Sequence, residues 1–278
     1  MKPGDYKEVI FDADAYIGMA KYINIKRVLA KEKIRNIKGF ISFWTLVELL
    51  TGADRDKHTL QMVGKHCFDK ESQQWRLWAD PVSMVYHILY QEEPPYIEDR
   101  IKEITYLFRK ALDGTLTEQE KTHIKSQLET VGDNFIRDCR SFVGSINSLT
   151  SVQITTQVIC QFIQAAKDVR QDRSPIKNEE IELIKSGFSG VGAYYEFLMK
   201  NKLAQNVSTL SSEKLLHDQR DYHLYFYAGK DDVYIVTQEK KIKTLGLNNV
   251  ISFEEYLSKV LSMSLYLRVK RFIYKIFR

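Results

Sequence analysis

The run Val9-Ile10-Phe11-Asp12-Ala13-Asp14 constrains this chain more than any other segment, because an apolar strand ends directly on carboxylates. A carboxylate at the end of a buried strand gives up its hydration. Either a cation or dense hydrogen bonding has to replace that water. In an open parallel sheet the residue just after a strand stands at the edge where ligands bind. Asp12 therefore reads as part of a divalent-cation site, and the distant acids that meet it define the rest.

Residues 8 to 54 read as strand, helix, strand, helix: Glu8 to Phe11 extended, Ala15 to Glu32 helical, Phe40 to Ile41 extended, Phe43 to Leu50 helical. Strands that alternate with helices predict an α/β fold with a parallel sheet sandwiched by helices. The texture returns late. Ser211 or Ser212 caps a helix running to Ala228, Val233 to Val236 is a strand, a short helix covers Lys240 to Leu245, and Val250-Ile251 is the last strand. Ser252 and Glu255 then form a capping box.

Between these parts, residues 55 to 210 hold long amphipathic stretches and few strand-like runs, so they are expected to form a large all-helical insertion. Thr117 and Glu120 make a capping box, Pro94-Pro95 separates two helices, and Ile154 through Val169 has apolar residues at helical spacing. Gly187, Gly190 and Gly192 mark a junction, with no strand before them and no Gly-Lys-Ser after, so they do not cradle a phosphate. The division is thus 1–54 and 211–257 for the two parts of the α/β core, 55–210 for the insertion, and 258–278 for a carboxy-terminal helix. Cys67, Cys139 and Cys160 are odd in number and lack Cys-x-x-Cys spacing, which argues against a disulfide framework and a structural zinc site. His66 beside Cys67 reads as a chance neighbour pair. The polar start, Met1 to Glu8, predicts a cytoplasmic protein without a signal leader.

Four further acids answer Asp12. Glu48 is the only charge in the helical run Phe43 to Leu50. Asp218 and Asp221 lie three apart on one helix face that Leu224, Tyr225 and Ala228 continue. Thr237 ends the strand Val233 to Val236, and Glu239 stands two residues on. For each there is also a plain structural reading: a half-exposed helix acid for Glu48, a macrodipole acid for Asp218, a loop acid for Glu239.

The succession of Asp12 after an apolar strand, Glu48 isolated in a hydrophobic helix, Asp221 seven residues before Ala228, and a strand ending in Thr237 with Glu239, closed by Val250 to Leu257, resembles the PIN-domain nucleases. The resemblance covers residues 8 to 54 and 211 to 257. It implies that Asp12, Glu48 and Asp221 are the first three acids of the site, with Asp218 assisting and Asp14 in support. The fourth acid of the family is usually Asp in a Thr-x-Asp setting, where this chain has Glu239. The resemblance implies a ribonuclease that hydrolyses phosphodiester bonds.

Clustered carboxylates suit Mg²⁺ or Mn²⁺ and do not suit zinc. Such an ion would bind the scissile phosphate and activate a water, with Thr237 orienting a water or a phosphate oxygen. Lys240, Lys241 and Lys243 are candidate contacts to the phosphate backbone of RNA, or else a solvated helix face. The net charge of +5 supports a polyanionic partner only weakly. From Ser258 to Arg278 there is no acid, and cations interleave with apolar residues in a basic amphipathic helix. Docking on the insertion is its first reading; a nucleic acid, an inhibitor or complex partner, and a membrane surface are the others. Its scattered charges exclude a membrane span. Trp75, Trp78, Tyr86, Tyr90 and Tyr96 either stack on unpaired bases or pack in the core, and helical spacing favours the core. Self-association is left open. Two rivals stand beside the nuclease: a catalytically weak or inactive scaffold of the same fold that binds RNA or protein, and a haloacid-dehalogenase-like phosphohydrolase with Asp12 as nucleophile and Asp14 as its acid. Asp231-Asp232 precede their strand, which counts against the second.

Overall fold

The computed structural model describes residues 7–22, 24–52, 57–69, 74–78, 80–129, 151–187, 190, 224, 226, 232–238 and 247–263. Its centre is a five-stranded parallel sheet with β1 (Lys7–Phe11) in the middle. β2 (Ile37–Ser42) and then β5 (Leu77–Trp78) lie on one side of it, β6 (Val233–Thr237) and β7 (Val250–Ser252) on the other. Phe68–Asp69 (β3) and Gln74–Trp75 (β4) form a separate antiparallel pair.

Val9, Ile10 and Phe11 are all fully buried, as the central strand of a parallel sheet must be when both faces are covered. Val9 and Phe11 point to one core with Ile37, Ile41 and Val236. Helices α1 (Ala13–Tyr22), α2 (Ile25–Ile34), α3 (Phe43–Thr51), α4 (Lys57–Cys67), α6 (Ile97–Asp113) and α7 (residues 118–129) cover it. Ile10 points to the opposite core with Val233, Ile235 and Val250, under α5 (Pro81–Tyr90), α8 (Ser151–Arg170) and α9 (Asn178–Gly187). Leu224 and Phe226 are buried in that second core.

The stretch 55–210 is therefore not all helical, contrary to expectation. It supplies β3, β4 and β5, and β5 pairs with β2 and widens the sheet. These strands are two residues long, too short to show alternation in the sequence. The described helices of this stretch complete both cores. The expected helix over Ala15 to Glu32 is also two helices, because the Asn24 side chain accepts from the Lys26 N–H at 3.0 Å and starts α2 anew.

Other signals hold. The Thr117–Glu120 and Ser252–Glu255 capping boxes form, and Pro94-Pro95 falls between α5 and α6. From Ser252 the chain makes a single turn (α10, Phe253–Glu255) that widens into a π turn over Tyr256–Val260, and Leu261 and Met263 enter the first core. Residues 264–278, most of the expected basic helix, lie outside the described residues. Trp75 and Tyr86 are core residues; the Trp75 ring meets Phe108 edge-on at 4.5 Å. No helix of the described residues is long and apolar enough to cross a membrane.

Candidate functional site

The chain runs outward from β1 to β2 on one side and returns to β6 on the other. The carboxyl ends of β1 and β6 therefore bound the crevice where the winding direction reverses, the usual place for a ligand in such a sheet. The register pairs Phe11 with Val236, Ile10 with Phe40, and Thr237 with Ser252. Extending it by one residue from Phe11–Val236 and by two from Ile10–Phe40 sets Asp12 between Ser42 and Thr237. A row of one carboxylate and three hydroxyl side chains thus crosses the sheet edge: Ser42, Asp12, Thr237, Ser252.

Asp12 serves first as the N-cap of α1: its Oδ1 accepts the Ala15 N–H at 2.6 Å, and its own N–H donates to the Val236 carbonyl at 3.1 Å. Its burial at 6 % exposure pushes the carboxyl up from 3.8 to about 7. Hydrogen bonds from the Thr237 hydroxyl and the Ala15 N–H pull it back, while the charges of Asp14 and Glu48 raise it further. Among the described residues no basic side chain forms an ion pair with it. Thr237 is 1 % exposed, fixed at the strand end beside Asp12. Glu48 is the half-buried residue of α3 between buried Val47 and Leu49, and the Ser42 hydroxyl sets the start of that helix by accepting the Thr45 N–H at 3.0 Å. Asp14 is exposed in the first turn of α1.

The structure thus gathers Asp12, Asp14, Glu48 and Thr237 around one edge. Asp218, Asp221, Glu239, Lys240 and Lys241 lie outside the described residues. Among the described residues no group of three or more His, Cys, Asp or Glu side chains is arranged to hold a metal ion. The side chains that act on Asp12, the Thr237 hydroxyl and the charges of Asp14 and Glu48, carry oxygen donors, the type that hard divalent ions take.

Sequence reasoning missed a second polar cluster. His66 and Cys67, read as a chance neighbour pair rather than a ligand pair, both belong to it. Both are fully buried, and Tyr16 Oη lies 2.9 Å from His66 Nδ1 and 2.8 Å from Cys67 Sγ. His66 Nε2 meets Glu32 Oε1 at 3.0 Å, and the Tyr256 hydroxyl donates to the same carboxylate at 2.6 Å. Burial, the largest single influence, would drive His66 towards neutrality, but the charges and hydrogen bonds of Glu32 and Cys67 together outweigh it and raise the imidazole to about 10. For Glu32, burial works upward most strongly, and the His66 charge, the hydrogen bonds from His66 and Tyr256 and the Arg76 charge together outweigh it, leaving the carboxyl below its usual 4.5. Arg76 donates to the His66 carbonyl and closes the cluster. Tyr16, Glu32, His66, Cys67 and Tyr256 are all buried, and Arg76 is half-buried. The only sequence cue was Glu32, an acid on the apolar stripe of α2 with Ile25 and Val28.

No family model matches this chain, and neither the curated proteins nor the solved structures contain a match to it. The class that the fold defines is a parallel α/β protein with a carboxylate at its topological switch point.

Proposed function

We propose that this chain is a metal-dependent nuclease of the PIN type that hydrolyses phosphodiester bonds in RNA. The observation that carries the reading is Asp12: a carboxylate buried at the switch point, hydrogen-bonded by Thr237, with the charges of Asp14 and Glu48 nearby and no basic partner among the described residues. A buried carboxylate with like charges near it is relieved either by taking up a proton or by a cation. A divalent ion would keep Asp12 ionised at neutral pH.

Asp12 and Glu48 would hold Mg²⁺ or Mn²⁺, together with Asp221 and with Asp218 and Glu239 in support. When bound, the ion supplies charge neutralisation at the phosphate and a more acidic water. Thr237 holds the Asp12 carboxylate in place through its hydroxyl, and Asp14, exposed at the rim, orients solvent or substrate. Lys240 and Lys241 would contact the RNA backbone.

The test uses labelled single-stranded RNA with Mn²⁺ or Mg²⁺, with and without chelator. Cutting is expected only with metal; Asp12→Asn and Asp221→Asn abolish it, and Thr237→Val lowers it roughly 10- to 100-fold, as for a residue that orients a ligand. Cutting that survives chelator or Asp12→Asn overturns the proposal. Release of phosphate from a phosphomonoester, sensitive to Asp12 and Asp14 alone, would instead favour the phosphohydrolase, and RNA binding without turnover the scaffold.

A further inference from the structure

A second feature lies at the far end of α1 and plays no part in the carboxylate site. A cavity of about 420 Å³ opens where α1, α2 and α4 meet. Lys21, Lys26, His58 and Lys65 stand around it, all exposed, and none has an acidic partner among the described residues. Buried Ile25 and Met62 form its floor. The surface around it is basic as well. From Lys21 to Lys38 the sequence has seven Lys or Arg and a single acid, Glu32. That acid is 3 % exposed and spends its charge on His66, so it does not screen the surface. The amino end of α2 faces the cavity too and adds its partial positive charge.

We propose that this basic cavity is a docking site for the phosphate backbone of an RNA strand, separate from the site at Asp12. Three lysines around a concavity, without acidic partners among the described residues and continued by further cations along α2, match an extended polyanion with repeating charges rather than one small anion. The cavity's apolar lining residues Ile25 and Met62 are buried and offer nothing to insert into a bilayer, which favours a strand held by charge over a lipid surface. The choice of RNA among polyanions rests on the proposed function; the anion site itself does not. Lys21 is nine residues beyond Asp12, so the cavity lies about 14 Å along α1 from the carboxylate. A strand held there is anchored several nucleotides from the bond to be cut.

The experiment measures binding of a 20-nucleotide single-stranded RNA in chelator, so that hydrolysis plays no part, across a salt series. Lys21→Ala/Lys26→Ala/Lys65→Ala is compared with Lys102→Ala/Lys125→Ala/Lys185→Ala, which removes equal charge elsewhere. Removing three phosphate contacts should weaken binding roughly ten- to fiftyfold near 0.15 M salt and flatten the slope of log K against log salt by about 2, with little change in the comparison variant. Equal losses in both variants, or none in the first, overturn the site. Poly-glutamate binding as tightly as RNA would overturn phosphate as the ligand, and capture by anionic phosphatidylserine vesicles with no RNA binding would replace RNA by a membrane. Wild-type protein that binds through this rim but never cuts RNA leaves the inference standing while the hydrolytic reading fails.

Discussion

Glu32 and His66 are 34 positions apart and form the most consequential ion pair in the described residues, because both are buried and each holds the other charged. Removing one partner strands the other, so His66→Ala is expected to lower stability by roughly 3–5 kcal/mol in urea denaturation. Gly39 shows how closely the pair is packed: a Cβ there would lie 2.3 Å from His66 Nε2. Gly39→Ala should cost about 1–3 kcal/mol through overpacking. The pH dependence follows from the directions of the shifts. The His66 contribution is complete below 6.5 and is lost as pH rises through about 10; the Glu32 contribution is complete above 4.5 and is lost in more acid solution. Asp12, raised from 3.8 to about 7, makes the metal-free fold less stable as pH climbs across that interval. Unfolding free energy measured across pH should therefore peak near pH 4.5 to 5 without metal and decline on the alkaline side. A maximum near pH 9 would contradict the assignment of these charges.

Helix starts and stops were largely written in the local chain, since a cap involves residues only two or three positions apart. Ser252 with Glu255, Thr117 with Glu120 and the Pro94-Pro95 break were all legible for this reason. Asp80 goes further. It caps α5 through the Ser83 N–H at 3.1 Å and also pairs with Arg100 of α6 at 2.8 Å, tying two helices across the proline break. Asp80→Ala should cost more than a simple cap, about 2 kcal/mol or above, while Ser252→Ala should cost about 1 kcal/mol; both are read by thermal unfolding. Elements that owe their existence to a neighbour were not legible. β5 is Leu77–Trp78 alone, and it is a strand only because β2 offers it a partner.

The described residues form three layers, and the central strand needs both outer ones. Ile10→Ala would open a cavity in the second core, under α5 and α8, and is expected to cost 2–5 kcal/mol, a loss measurable by chemical denaturation. If 55–210 were a separate appendage, this change would be felt far less. The continuous apolar run Val9-Ile10-Phe11 already demanded cover on both faces, and its lack of alternation was the available sign that the helical stretch belongs to the sheet.

The sequence by itself determined the parallel α/β core, the strand that ends at Asp12, the isolation of Glu48 in an apolar helix and the local caps. These are set by periodicity and by contacts within a turn. Only the tertiary structure decided that Thr237 bonds Asp12, that Glu32 neutralises His66 inside the core, and that Lys21, Lys26, His58 and Lys65 surround one cavity. Each of these joins segments far apart in the chain, and charge placed by packing leaves no period in the sequence to reveal it.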